Sequence, residues 1–345
     1  MLDIKEALTY DDVLLVPQYS DIKSRKEVDI GNDLDEKIHL KFPIISSPMD
    51  TVTGTNMSVA MGLSNGLGII HRYCTIHEQI VMLLDTRKCI QDDMPLAAAI
   101  GVTGDYLQRA VNLYDAGANI VCIDVAHGHH ILVKNAIKTI RNELGNSIHI
   151  MAGNVATREG YRALSRWGAD SIRCNVGSGS ICSTRTQTGH GIPGLHTIFE
   201  CAKFKSENNA KIIADGGIRT SGDIVKALAA GADFVMLGSM LAGTDESLGT
   251  KIVTSNGIIK KEYRGMASKE AQMDWRGEYY SDEGISTMVE YKGSVEDILK
   301  GLKNGISSGL SYSGVRTIQE LQKNALFIRQ TNAGLSESQT HILKV

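Results

Sequence analysis

Trp167-Gly-Ala-Asp-Ser-Ile-Arg-Cys174 runs straight into Asn175-Val-Gly-Ser-Gly-Ser-Ile-Cys-Ser-Thr-Arg-Thr-Gln-Thr-Gly-His-Gly191, and the fold is decided where the two join. The first part supplies a helix-ending glycine, a turn, and a brief apolar run from Asp170 to Cys174 that reads as a buried strand. The second part is rich in glycine and hydroxyls and carries one cysteine. A glycine-rich loop at a strand end brings bare backbone close to a ligand or an ion. Cys182, with Thr184 two residues on and Arg185 beside it, reads as a nucleophile with assistants. Taken alone, the same letters also fit a surface loop with a spare thiol.

The turn phrase recurs as Ala116-Gly-Ala-Asn119 and Ala230-Gly-Ala-Asp233, each time just before an apolar run. Eight such runs follow one another: 43–46, 68–71, 97–102, 119–124, 147–152, 170–174, 211–215 and 233–237. They are Val/Ile-rich and continuous rather than alternating, as parallel strands covered on both faces must be. Residues 107–114 and 130–144 space their apolar side chains at three and four, the helical period. Eight strand–helix units predict an α/β fold, a (β/α)8 TIM barrel; a doubly wound open sheet is the alternative. A barrel demands its chemistry at strand ends. Those ends read Ser46-Ser-Pro-Met-Asp50, His71-Arg72, Gly101, Asp124-Val-Ala-His-Gly128, Gly153-Asn154, the cysteine loop, Asp215-Gly-Gly217 and Gly238-Ser239, which favours the barrel. Beyond Gly238 the rhythm stops. Residues 257–263 read as one side of a hairpin, 264–291 as a polar, mobile loop without periodicity, and 294–304 as a helix.

The 345 residues carry 36 Lys+Arg against 39 Asp+Glu, a net charge of −3 that leaves no footprint for nucleic acid or anionic lipid. Six cysteines without CxxC pairs argue against a disulfide framework and zinc, and for a reducing compartment. No signal pattern and no apolar run near the ~18 residues of a membrane span are present, so a soluble cytoplasmic protein is expected.

The glycine turns after the last two strands suit a phosphate bound by backbone N–H groups, with Gly217, Gly238 and Ser239 as donors. Asp215 is assigned to sugar hydroxyls. Cys182 needs a lowered pKa to attack, and turned-in carbonyls could hold a monovalent cation that orders its loop. Asp282 and Glu283 are the candidate bases, although such a pair is more often a solvated acidic turn. Asp124, His127 and His129 fit a pocket lining better than a metal site. No G-x-G-x-x-G follows the first strand of a βαβ unit, so any nicotinamide binds in a non-Rossmann way.

Tyr10-Asp-Asp-Val-Leu-Leu-Val-Pro17, Ser46-Ser-Pro-Met-Asp-Thr-Val52, Gly68-Ile-Ile-His71, Gly153-Asn-Val155, Gly177-Ser-Gly-Ser-Ile-Cys182, Ala214-Asp-Gly-Gly-Ile-Arg219, Met236-Leu-Gly-Ser-Met240 and Tyr263-Arg-Gly-Met266 together resemble the IMP dehydrogenase/GMP reductase family. The resemblance runs in family order over nearly the whole chain. It implies a cysteine that attacks C2 of a purine nucleotide (GMP or IMP), with hydride moving between C2 and a nicotinamide. It implies catalytic roles for Cys182, Thr184 and Glu283, and a nucleotide grip from Ser47, Met49, Ser180, Asp215, Gly217, Gly238, Ser239, Tyr263, Gly265 and Met266. Asp124, Ala126, Asn154 and Arg173 would face the nicotinamide. The backbones of Gly177, Gly179 and Cys182 would hold potassium, although Asn175 stands where the family usually has glycine. A homotetramer and a single catalytic domain, 1–345, are implied, with a short flap at about 265–291 and no inserted regulatory domain.

The short flap, without adjacent Arg-Tyr, and the Thr-Arg-Thr-x-Thr-Gly after the cysteine look like the reductase branch with NADPH. Ser46 to Thr53, Arg72 and Asn332 to Ser338 look more like the dehydrogenase branch with NAD, which would use Arg276 and Tyr279 non-adjacently. A non-catalytic purine-nucleotide sensor is the alternative from another class.

Overall fold

The computed structural model describes residues 4–205, 210–280 and 282–338. Eight parallel strands close into a barrel: β1 (Ile44–Ser46), β2 (Leu67–Ile70), β3 (Ala97–Ile100), β4 (Ile120–Asp124), β5 (His149–Val155), β6 (Ser171–Cys174), β7 (Lys211–Asp215) and β8 (Phe234–Leu237). All eight overlap the runs read from the sequence. Because successive side chains on a strand point to opposite faces, the apolar residues separate into two packed layers. Ile45, Ile69, Ala97, Ala99, Ile120, Cys122, Ile213 and Phe234 fill the barrel interior. Ile44, Ile70, Ala98, Ile100, Val121 and Ile123 face the surrounding helices.

The helix-ending phrase has its physical reason in the backbone. Gly117, Gly168 and Gly231 stand at φ 97°, 111° and 117°, a region open to glycine and costly for other residues. A small hairpin, Asn32–Asp33 against His39–Leu40, closes the barrel floor and inserts Leu34 and Leu40 into the interior layer. The termini are joined by Val13–Leu15 pairing antiparallel with Phe327–Arg329.

Past β8 the structure departs from the sequence reading. Residues 264–291 are not an irregular loop. Lys269–Arg276 is a helix, capped by Ser268 and ended by Gly277 at φ 75°. Ser286–Glu290 is a strand, β11, in a three-stranded antiparallel sheet with β9 (Lys251–Val253) and β10 (Ile259–Arg264). The expected helix at 294–304 extends over Val295–Tyr312. Among the described residues no helix is long and apolar enough to cross a membrane.

Candidate active site

The C-terminal ends of the strands and the flap enclose one cavity of about 430 Å³. Every site residue implied by the family resemblance lines it: Cys182, Thr184 and Glu283; the proposed nucleotide grip from Ser47 to Met266; Asp124, Ala126, Asn154 and Arg173; and Gly177 and Gly179.

The cysteine loop leaves β6 and is tied to the flap by main-chain bonds. Ser183 N donates to Glu283 O (3.0 Å) and Ile285 N to Ile181 O (3.0 Å). These bonds carry Glu283 onto the loop, where Thr184 Oγ1 donates to its Oε2 at 3.0 Å and accepts from Cys182 Sγ at 3.2 Å. Thiol, hydroxyl and carboxylate thus form one chain. The residue-only reading of 282–283 as a solvated acidic turn is corrected for Glu283. Asp282 lies apart, with its carboxylate on the amide of Lys269 at 3.3 Å. Arg185 does not serve the thiol as expected. Its Nη2 donates to Ser178 Oγ and Ile192 O, both at 2.7 Å, clamping the two ends of the loop together. A side chain at Gly177 (φ 86°) would run into that arginine, its Cβ 2.6 Å from Arg185 Cγ.

At the glycine turns, no acceptor among the described residues meets the amides of Gly217, Gly238 and Ser239. They are available to a ligand. Tyr263 roofs this corner, its hydroxyl 3.5 Å from Ser180 Oγ. Burial pushes that phenol up to about 12, so it stays protonated near neutrality. A Cβ at Gly238 would stand 3.0 Å from the same hydroxyl and 3.1 Å from Met49 Sδ, which explains glycine there.

Arg173 is buried between two carboxylates. It pairs with Asp124 through Nη1 (2.5 Å) and with Asp215 through Nη2 (2.9 Å) and Nε (3.1 Å). Asn154 Nδ2 donates to the same Asp215 Oδ2 at 2.7 Å, so Asp215 Oδ1 is left for a ligand hydroxyl. Burial works to raise the Asp124 pKa, but the guanidinium groups of Arg173 and Arg72 bring it below the ordinary value. Asn175 fills the space beside Gly216 and donates to the Asp215 carbonyl; its Oδ1 is buried without a partner.

His127 and His129 do not line the cavity, contrary to expectation. Burial and the neighbouring His129, His130 and His190 push the His127 pKa down, and the His129 ring lies 5.9 Å from Trp167. Among the described residues no group of three or more His, Cys, Asp or Glu could hold a metal ion. Arg72, Tyr73, Gln272 and Arg276 also line the cavity; sequence reasoning gave no site role to the first three, and named Arg276 only with Tyr279, as a non-adjacent pair in the dehydrogenase alternative. The strand-end rule points at Arg72, and nothing in the letters points at Gln272.

A (β/α)8 barrel with its reactive groups gathered at the strand C-termini defines the class as the enzyme-bearing barrels. The model of the IMP dehydrogenase / GMP reductase domain matches residues 7–341, and the chain belongs to that family, whose members are oxidoreductases. An IMP dehydrogenase from Nitrosopumilus maritimus is 36% identical over 99% of this chain and 99% of its own. That alignment covers 475 positions, so the relative carries residues with no counterpart among the 345 here. A GMP reductase from Leishmania major is 32% identical over 98% of this chain and 97% of its own. The crystal structure of a cysteine-to-alanine GMP reductase from Trypanosoma brucei, in complex with guanosine 5'-monophosphate, superposes with a TM-score of 0.94. It is 31% identical, over 99% of both chains.

Proposed function

We propose that this chain is a GMP reductase, converting GMP and NADPH to IMP, ammonia and NADP+. The observation that carries the reading is the Cys182–Thr184–Glu283 chain, at 3.2 and 3.0 Å. A flap that delivers a carboxylate to the thiol through a hydroxyl suits protonation of a departing amine. The Cys182 sulfur adds to C2 of the purine, and the bond from C2 to the amino nitrogen breaks. Thr184 and Glu283 pass the proton that lets nitrogen leave as ammonia, and a thioimidate remains on Cys182. Hydride then reaches C2 and the thiolate departs with the electron pair of the C–S bond, releasing IMP.

The amides of Gly217, Gly238 and Ser239 would hold the phosphate, Asp215 Oδ1 the ribose hydroxyls, and Ser180 with Tyr263 the side beneath the base. Ser47, Met49, Gly265 and Met266 close the remaining walls. Asp124, Ala126, Asn154 and Arg173 would bound the nicotinamide's side, and the bound cofactor supplies the hydride. The fit to a dinucleotide rests on Arg72 Nε, a buried donor that makes no hydrogen bond and lies 3.6 Å from Asp124 Oδ2. The carbonyls of Gly177, Gly179 and Cys182 are hard oxygen donors of the kind a potassium ion takes. Gly179 O already accepts the Cys182 amide at 3.1 Å and would have to be shared.

The higher identity to the Nitrosopumilus dehydrogenase favours a second reading, IMP dehydrogenase with a shortened flap. One assay separates them: GMP with NADPH against IMP with NAD+, followed at the nicotinamide absorbance. Turnover of IMP alone would reverse the assignment. Tight GMP binding without turnover in either direction would mean a sensor. Cys182→Ala is expected to keep GMP binding and to abolish turnover.

A further inference from the structure

The outer mouth of the cavity, between the β2 loop and the flap helix, has a charge that the reading so far does not use. Tyr73 stacks there on Trp275 at 5.8 Å with 12° between the planes, and the Arg72 guanidinium lies over its ring at 5.2 Å. Its hydroxyl donates to Met266 O at 2.7 Å, so these contacts fix the flap helix to the barrel. Arg276, in the last turn of that helix, lines the cavity and is exposed.

The other charges around it are matched. Arg173 and Arg72 face Asp124 at 2.5 and 3.6 Å. Asp274 is paired with Arg264 at 2.5 Å, and Glu278 accepts from the Tyr280 hydroxyl at 2.6 Å. Among the described residues, no carboxylate, carbonyl or hydroxyl meets the Arg276 guanidinium. Arg276 and Arg72 both act to lower the Tyr73 pKa against the burial that raises it, which places Arg276 beside this stack. An unpaired guanidinium on a held helix, at the rim of a cavity where Arg72 Nε is ion-paired but makes no hydrogen bond, is an anion contact, and its fork suits phosphate oxygens.

We propose that Arg276 binds a phosphate group of the nicotinamide dinucleotide, which enters by this mouth. This rests on the reading of the chain as a dinucleotide-dependent oxidoreductase. The phosphate is either the 2'-phosphate of the adenosine or the diphosphate bridge. The competing account is structural, since a basic residue in the last turn also favours the helix dipole.

The test is calorimetric titration of NADP+ and of NAD+, in the presence of GMP, into wild type, Arg276→Gln and Arg276→Lys. Thermal midpoints are recorded in parallel. Loss of one charge-assisted contact is expected to raise Kd about 10- to 100-fold in Arg276→Gln, with Arg276→Lys recovering much of it. A rise for NADP+ alone assigns the 2'-phosphate, and a rise for both assigns the diphosphate. Unchanged Kd values beside a lowered midpoint would leave only the helix-end role and overturn the proposal. Wild-type protein that binds neither dinucleotide would overturn the enzyme reading as well, so the two failures are distinguishable.

Discussion

Six cysteines share one chain, yet burial divides them before any chemistry starts. Cys74, Cys122, Cys174 and Cys201 are buried, whereas Cys89 and Cys182 are exposed. Burial pushes Cys74 up to about 11 and Cys122 up to about 12, so at pH 8 both are thiols and unreactive. Iodoacetamide at pH 8 is therefore expected to label two sites per chain quickly, and one in Cys89→Ser. Saturating GMP should protect the remaining site; a third fast equivalent, or no protection, would contradict this. Glu283→Gln keeps the shape of the relay but removes its acid. Turnover is expected to fall about 10²–10⁴-fold, with KM for GMP changed by no more than a few fold. A rise in KM with kcat intact would make Glu283 a binding group instead.

At the scale of elements, the barrel was legible because each strand is a continuous apolar run preceded or followed by punctuation that the backbone requires. The three phrase glycines make this testable. Gly117 stands at φ 97° with nothing within 4 Å of an added Cβ, so Gly117→Ala carries only the left-handed penalty, about 1–2 kcal/mol. Gly231 stands at φ 117°, and its added Cβ would overlap that of Ala202. Gly231→Ala is expected to cost a further ~1–3 kcal/mol for overpacking. Urea midpoints of the two variants should differ in that order, and equal midpoints would refute the packing argument. The flap was illegible for the opposite reason. Its helix, Lys269–Arg276, buries only Ala271 and Gln272 and so shows no apolar stripe. It is held by single contacts, Trp275 on the distant Tyr73 and Asp274 on Arg264, which no helical period announces. Glu283 was likewise an acid in a turn. Only resemblance singled it out, because its partner lies ninety-nine positions away.

Across the whole molecule the two ends of the barrel carry different burdens. The larger opening, about 880 Å³, lies at the floor, where strands begin and where barrels keep stability rather than catalysis. There His149, its side chain fully buried, bonds Asp35 through Nδ1 (2.6 Å) and Ser171 Oγ through Nε2 (2.8 Å), tying the floor hairpin to β5 and β6. Burial acts to raise the Asp35 pKa, but the bonds from His149 and from the amides of Lys37 and Ile38 leave it below the ordinary 3.8. A carboxylate depressed in the folded state adds stability above its unfolded pKa and loses it as pH falls through the folded value. Asp35→Asn should therefore lower stability by about 1.5–3 kcal/mol at pH 6. The gap from wild type should close between pH 3.8 and lower values, followed by urea unfolding at fixed pH steps. Because the change lies on the floor, kcat and KM at pH 7 should stay as in wild type. An activity loss without a stability loss would mean that the floor and the mouth are coupled through β5 and β6, whose far ends carry Asn154 and Arg173.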